Sequence, residues 1–169
     1  MIPGPTQLKG VERARSRKHV VRKLDWAHPM YGYTHLAPSS RVRGAKRAGV
    51  LFENKVNDAL TAKHSEYLSG LGFTFSDNGV RGICIPDGVL YDPGRLVIVE
   101  IKLRHCIDAW HHLRRLYAPV VSLAYQKPVC CVEIVKYFDR NVKFPEPIKL
   151  IRSLEEATEG CLGVLIWGR

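Results

Sequence analysis

Acidic residues are scarce at the start of this chain. The first 47 residues hold two carboxylates, Glu12 and Asp25, against eleven lysines and arginines, whereas the other 122 hold fourteen against fifteen. Nearly all of the net charge of +10 therefore sits in that leading segment. Also missing are a run of about 18 apolar residues, which a membrane-spanning helix needs, and an apolar stretch behind the basic start. Neither a membrane span nor a secretory leader is predicted, and the expectation is a soluble, intracellular protein. Cys84, Cys106, Cys130, Cys131 and Cys161 are odd in number, stand mostly in apolar runs and show no C-x-x-C spacing, so reduced core thiols are expected rather than a disulfide framework. A zinc site drawn from Cys84, His105, Cys106, His111 and His112 lacks the paired spacing that half-sites need. No internal repeat is visible, and 169 residues suffice for one domain with a substantial core.

Residues 1–44 mix proline, glycine and arginine with little periodicity and read as a basic arm with short local structure at most, leaving 45–169 as the folded domain. The cations Arg13, Arg15, Arg17, Lys18, Arg22, Lys23, Arg41, Arg43, Lys46 and Arg47, with Trp26, Tyr31 and Tyr33 among them, suit phosphate neutralisation and aromatic packing on bases or sugars. DNA is the expected partner. From Ala45 to about Ser69 the apolar positions recur at helical spacing, and Gly70 and Gly72 follow as stop signals. Phe73-Thr74-Phe75 begins a strand that Asp77-Asn78-Gly79 turns, and two further strands complete an antiparallel meander. Ile107, Trp110, Leu113 and Tyr117 mark a second helix, expected to stop before Pro119, whose other face carries His111, Arg114 and Arg115 as expected contacts to the nucleic-acid strand. The apolar run Val129–Val135 suits a buried strand parallel to its predecessor, residues 153–158 a short helix and 163–167 a last strand. The fold class is α/β, a central mixed sheet flanked by helices.

The chemistry concentrates in Ile85-Pro86-Asp87-Gly88 and in Glu100-Ile101-Lys102, which ends the run Leu96-Val97-Ile98-Val99. Side chains alternate along a strand, so Glu100 and Lys102 share one face while Ile101 points to the other. Asp92-Pro93-Gly94 folds the Asp87 run back beside the Glu100 run and brings the two carboxylates together. Two carboxylates, with the Ile101 carbonyl as a further donor, suit a hard cation such as Mg²⁺ or Mn²⁺. A lysine beside that ion can hold or deprotonate an attacking water, which is the equipment of phosphodiester hydrolysis.

Pro86-Asp87 followed by Glu100-Ile101-Lys102 resembles the signature of the PD-(D/E)xK nuclease superfamily, which includes restriction endonucleases, Holliday junction resolvases and phage nucleases. The resemblance covers roughly Gly44 to Val121. It implies a restriction-endonuclease-like core and a further acidic residue from the first helix, for which Glu53 is placed. It also implies Asp87, Glu100 and Glu53 as metal ligands with the Ile101 carbonyl, and Lys102 as the water-activating residue. No glutamine precedes Tyr117 where exonuclease-like branches carry one, and His111 and His112 occupy that neighbourhood, which favours an endonuclease or junction resolvase. A resolvase working on two strands implies a homodimer. The competing reading is a nucleic-acid-binding structural protein with no catalysis; a nicking, restriction-like or exonuclease member of the same superfamily would keep the same four residues.

Overall fold

A computed structural model describes residues 12–13, 20–31 and 44–169. In chain order the elements are β1 (Glu12–Arg13), β2 (Leu24–Met30), α1 (Gly44–Lys63), β3 (Tyr67–Ser69), β4 (Gly72–Asp77), β5 (Val80–Cys84), β6 (Gly88–Asp92), β7 (Arg95–Arg104), α2 (Ile107–His112), α3 (Ala118–Tyr125), β8 (Val129–Tyr137), β9 (Ile148–Ile151) and β10 (Leu162–Ile166). A π-helical turn, Leu113–Tyr117, joins α2 to α3, and a 3₁₀ turn spans Leu154–Glu156. The class is α/β, as expected, with a mixed six-stranded sheet in the order β3-β6-β7-β8-β10-β9. A second, four-stranded sheet has the order β1-β5-β4-β2.

Hairpin chemistry explains both antiparallel pairs. Asn78 and Gly79 both take positive φ, 51° and 80°, the twist that a two-residue turn between β4 and β5 requires. Between β6 and β7, Pro93 presets its own φ and Gly94 supplies φ 85°, closing the pairing Asp92↔Arg95. The expected meander is nevertheless broken. β5 and β6 belong to different sheets, because the chain bends at Pro86-Asp87 and changes partners there. From β7 onward the large sheet is parallel: β7 pairs with β8, β8 with β10 and β10 with β9, so four carboxyl ends lie along one edge.

The two faces of the large sheet carry separate cores. Val97, Val99 and Ile101 of β7 join Cys130, Val132 and Ile134 of β8 and pack on Phe52, Val56 and Leu60 of α1. On the opposite face Leu96, Ile98, Cys131 and Val135 pack on Leu113, Leu116, Val120 and Val121 of the helical rod, a cluster that also takes in Phe73 and Phe75 of the small sheet.

Three expectations of local structure are corrected. The first helix ends at Lys63 rather than near Ser69, because Tyr67–Ser69 is captured as a strand by β6, Tyr67 opposite Leu90. The second helix does not stop before Pro119 but runs on through α3 to Tyr125. Proline lacks an N–H to offer the carbonyl four residues back, and the Arg115 carbonyl is satisfied from outside the rod by the Val21 N–H at 3.0 Å. Within the segment expected to be an arm, Leu24–Met30 forms an ordered strand paired with β4. Asp77 anchors that strand's start by accepting the backbone N–H groups of Arg22 and Lys23.

Candidate active site

Glu100 sits near the carboxyl end of β7, only 2% exposed, on the face that meets the helical rod. Its Oε1 takes two partners, Lys102 Nζ at 2.6 Å from the same strand face and His112 Nδ1 at 2.6 Å from the end of α2. Its Oε2 is buried and has no hydrogen-bond partner among the described residues. The strand alternation that predicts a shared face for Glu100 and Lys102 is thus realised as a direct ion pair.

Asp87 reaches the same place from the bend between β5 and β6. β6 pairs with β7 only as far as Gly88↔Val99, and beyond that the Asp87 carboxylate takes the ladder position, its Oδ2 accepting the Ile101 N–H at 2.6 Å. In an extended strand the N–H and C=O of one residue point the same way. The Ile101 carbonyl therefore faces this gap as well. The chain can approach so tightly because residue 88 is glycine: a Cβ there would stand 1.8 Å from the Tyr67 hydroxyl oxygen, which is itself held by Asn57 at 2.6 Å.

Electrostatics ties these groups together. Burial pushes the Asp87 carboxyl well above the ordinary range, and the charges of Glu100 and then Glu53 push it further, against the pull of Lys102 and the Ile101 N–H. Burial acts in the same direction on Glu100, but the His112 hydrogen bond and the Lys102 charge outweigh it and hold that carboxyl below its ordinary value. Burial would lower Lys102, yet the carboxylates of Glu100 and Asp87 prevail and raise it, so the ammonium stays charged. Burial also raises the Tyr67 phenol, with Asp87 and Glu53 adding to the effect. Glu53, half-buried on α1, thus lies within electrostatic reach of Asp87 and Tyr67. Three carboxyl groups, those of Asp87, Glu100 and Glu53, thus share the field of the Lys102 ammonium.

A second buried pair adjoins it. Glu133 on β8 is the register partner of Glu100 and is bonded to His105 and to the Cys106 N–H. Burial pushes its carboxyl up, and the neighbouring Glu100 charge adds to that. Two glutamates side by side on one buried sheet face would repel; each is supplied with its own histidine. Sequence alone does not point to Tyr67, His105 or Glu133 as parts of this site, nor to Glu100 as the partner of His112. His112 alone carried a signal there, as a histidine on the helix after the Glu-x-Lys motif.

The expected nucleic-acid contacts fare unevenly. Arg15, Arg17, Lys18, Arg41 and Arg43, with Tyr33, lie outside the described residues, and Arg13 falls in β1. Arg22, Lys23, Lys46, Arg47 and Arg115 are exposed, the last with its guanidinium 5.1 Å from the Trp110 ring centre. Arg114 is a structural tie, bonded twice to Glu146 at 2.6 and 2.7 Å and once to the Cys161 carbonyl. His111 is half-buried, edge-on to Trp110.

The donors available are carboxylate and carbonyl oxygens, which suit a hard divalent cation. Among the described residues no three His, Cys, Asp or Glu side chains form a ready-made metal cage. That is compatible with Mg²⁺, which keeps several waters and needs only one or two carboxylates from a protein. No described helix has the length and apolarity to cross a membrane. Comparison of this chain with family models, curated proteins and solved structures returned no match.

Proposed function

We propose that the chain is a Mg²⁺-dependent DNA endonuclease, with Mn²⁺ able to substitute, that acts selectively on branched DNA such as a four-way junction. The observation that carries this reading is the orphaned, buried Glu100 Oε2 beside Asp87, at a gap that the Ile101 carbonyl also faces. Carboxylates brought together in a buried site favour a bound cation. Asp87, Glu100 and the Ile101 carbonyl would hold it, with Glu53 as a more distant acidic contributor. When bound there, the cation supplies the positive charge that polarises a phosphodiester. Lys102, kept charged by its neighbours, donates hydrogen bonds that hold the attacking water and balances negative charge developing on the phosphoryl oxygens. His112 fixes the rotamer of Glu100 by holding one of its oxygens. The exposed cations bind phosphate without reading sequence, which supports selection by DNA shape, and cutting two strands of a junction would call for a homodimer.

The test is incubation of the purified protein with plasmid, linear duplex, single-stranded DNA and a four-way junction, in Mg²⁺, Mn²⁺ or chelator, beside Asp87→Ala and Lys102→Ala. Metal-dependent cleavage, strongest on the junction and lost in both variants, is the expected result. Binding without cleavage by any form would leave a non-catalytic nucleic-acid-binding protein instead.

A further inference from the structure

The carboxyl edge of the parallel strands holds a feature that cleavage itself does not use. Ligands of open α/β sheets bind in the crevice beyond those strand ends. Two cavities, of about 390 and 500 Å³, lie here and meet at Trp167 and Gly168. The larger is lined by Lys55 of α1, Leu103 of β7, and Lys136 and Tyr137 of β8; the smaller by Lys63 of α1 and Arg152 after β9. Among the described residues no Asp or Glu lines either one. Tyr137 is 48% exposed although it is a large aromatic, with the Arg104 guanidinium 5.4 Å and the Lys136 ammonium 5.2 Å from its ring centre. At the β9 end Glu155 is paired with His64, and Glu156 accepts the Arg152 N–H. Lys102 of the candidate site and Leu103 of the larger cavity are successive residues near the carboxyl end of β7 and face opposite sides of the sheet, so the two features meet around that strand end.

We propose that this edge is a track for an unpaired nucleic-acid strand, running from the candidate active site across the ends of β7, β8, β10 and β9. The inference rests on the nucleic-acid reading and deepens it by naming a single-stranded arm or tail as part of the substrate. Cations spaced along the edge match a phosphate backbone, and aromatic faces between them match bases. Cavities of this size admit small-molecule-sized groups, whereas the bases of an intact duplex are stacked inside it and cannot enter.

The experiment titrates the full-length protein, in chelator so that nothing is cut, into a fluorescently labelled blunt duplex and into the same duplex bearing a thymidine tail. Wild type is expected to bind the tailed DNA more tightly. Tyr137→Ala should weaken that binding about fivefold to a hundredfold, the range for losing one base–aromatic stack, and leave blunt-duplex binding unchanged. Lys136→Ala, an exposed position, should act in the same direction and guards against a folding defect in the first variant. Equal binding of tailed and blunt DNA, or equal losses on both, overturns the track. Competition by polyglutamate as effective as that by oligothymidylate also overturns it, in favour of an acidic protein partner. A Mg²⁺ cleavage assay on the same samples separates the two readings: tail preference without cutting sinks the nuclease and keeps the track, and cutting without tail preference does the reverse.

Discussion

Asp87 Oδ2 accepts the Ile101 N–H at 2.6 Å, in the place a backbone carbonyl of β6 would take had pairing continued past Gly88 and Val99. One side chain thereby ends a β-ladder and delivers a carboxylate to Glu100. The two roles are separable. Asp87→Asn keeps an oxygen acceptor for Ile101 and removes the charge, so it should abolish metal-dependent cleavage by about a hundredfold or more, a loss typical of removing one key electrostatic contact. Its melting temperature should hold. Asp87→Ala should lose cleavage and also about 1–3 kcal/mol of stability, because it strands the Ile101 N–H. Cleavage assays paired with thermal melts check this, and retained activity in Asp87→Asn would remove Asp87 from the site.

His112 touches Glu100 and no reacting group, so its expected role is positioning. His112→Ala should lower kcat about tenfold to a hundredfold, the range for partners that orient a ligand, with KM nearly constant and with weaker Mg²⁺ affinity. His112→Asn, which retains a short donor, should recover part of the loss. A change confined to KM would instead assign His112 to substrate contact.

Gly88→Ala places a methyl group where the Tyr67 hydroxyl stands. Tyr67 is nearly fully buried and hydrogen-bonded to Asn57, so it cannot move aside cheaply. Overpacking of this kind costs about 1–3 kcal/mol, and the shift should be transmitted to neighbouring Asp87. Denaturant melts and cleavage rates are both expected to fall; unchanged values would show that the chain relaxes locally.

Alkaline pH should destabilise the fold through its buried thiols. Burial pushes the Cys131 thiol up to about 12 and the Cys84 thiol higher still, from an ordinary value near 9.0. A group whose folded value is raised contributes stability that is fully present below its unfolded value and lost as pH climbs toward the folded one. Stability should therefore fall between about pH 9 and 11, on the order of 1.4 kcal/mol per pH unit per thiol. The Cys84→Ala/Cys131→Ala double variant should lose less over that interval. Thermal melts across the range provide the comparison, and parallel slopes would discount the thiols.

How much of this was legible in the residues follows from the range of each interaction. The period of two in β7 predicts that Glu100 and Lys102 share a face, and the Pro-Gly turn after Asp92 predicts its hairpin with β6, because both rules act within a few residues. The helix through Pro119 defeats a local rule: the missing hydrogen bond is repaired by a π-helical turn and by Val21, 94 residues away in the chain from that proline's partner carbonyl at Arg115. The strand Leu24–Met30 was masked by its basic surroundings, and its order comes from β4 and Asp77, both remote in sequence. Nothing near His112 announces Glu100 as its partner, since a helix packing on a sheet sets that distance.

Side-chain period, backbone preference and charge, all readable along the chain, account for the α/β class, the basic bias of the leading segment, the hairpins at Asn78-Gly79 and Pro93-Gly94, and the shared face of Glu100 and Lys102. Only the tertiary structure decided that β5 and β6 part into two sheets at Asp87, that Glu133 and its histidine flank Glu100, and that four strand ends line up as a basic and aromatic edge. Those features depend on which strands neighbour one another, and neighbours are chosen by burial of two separate apolar faces rather than by any short run of residues.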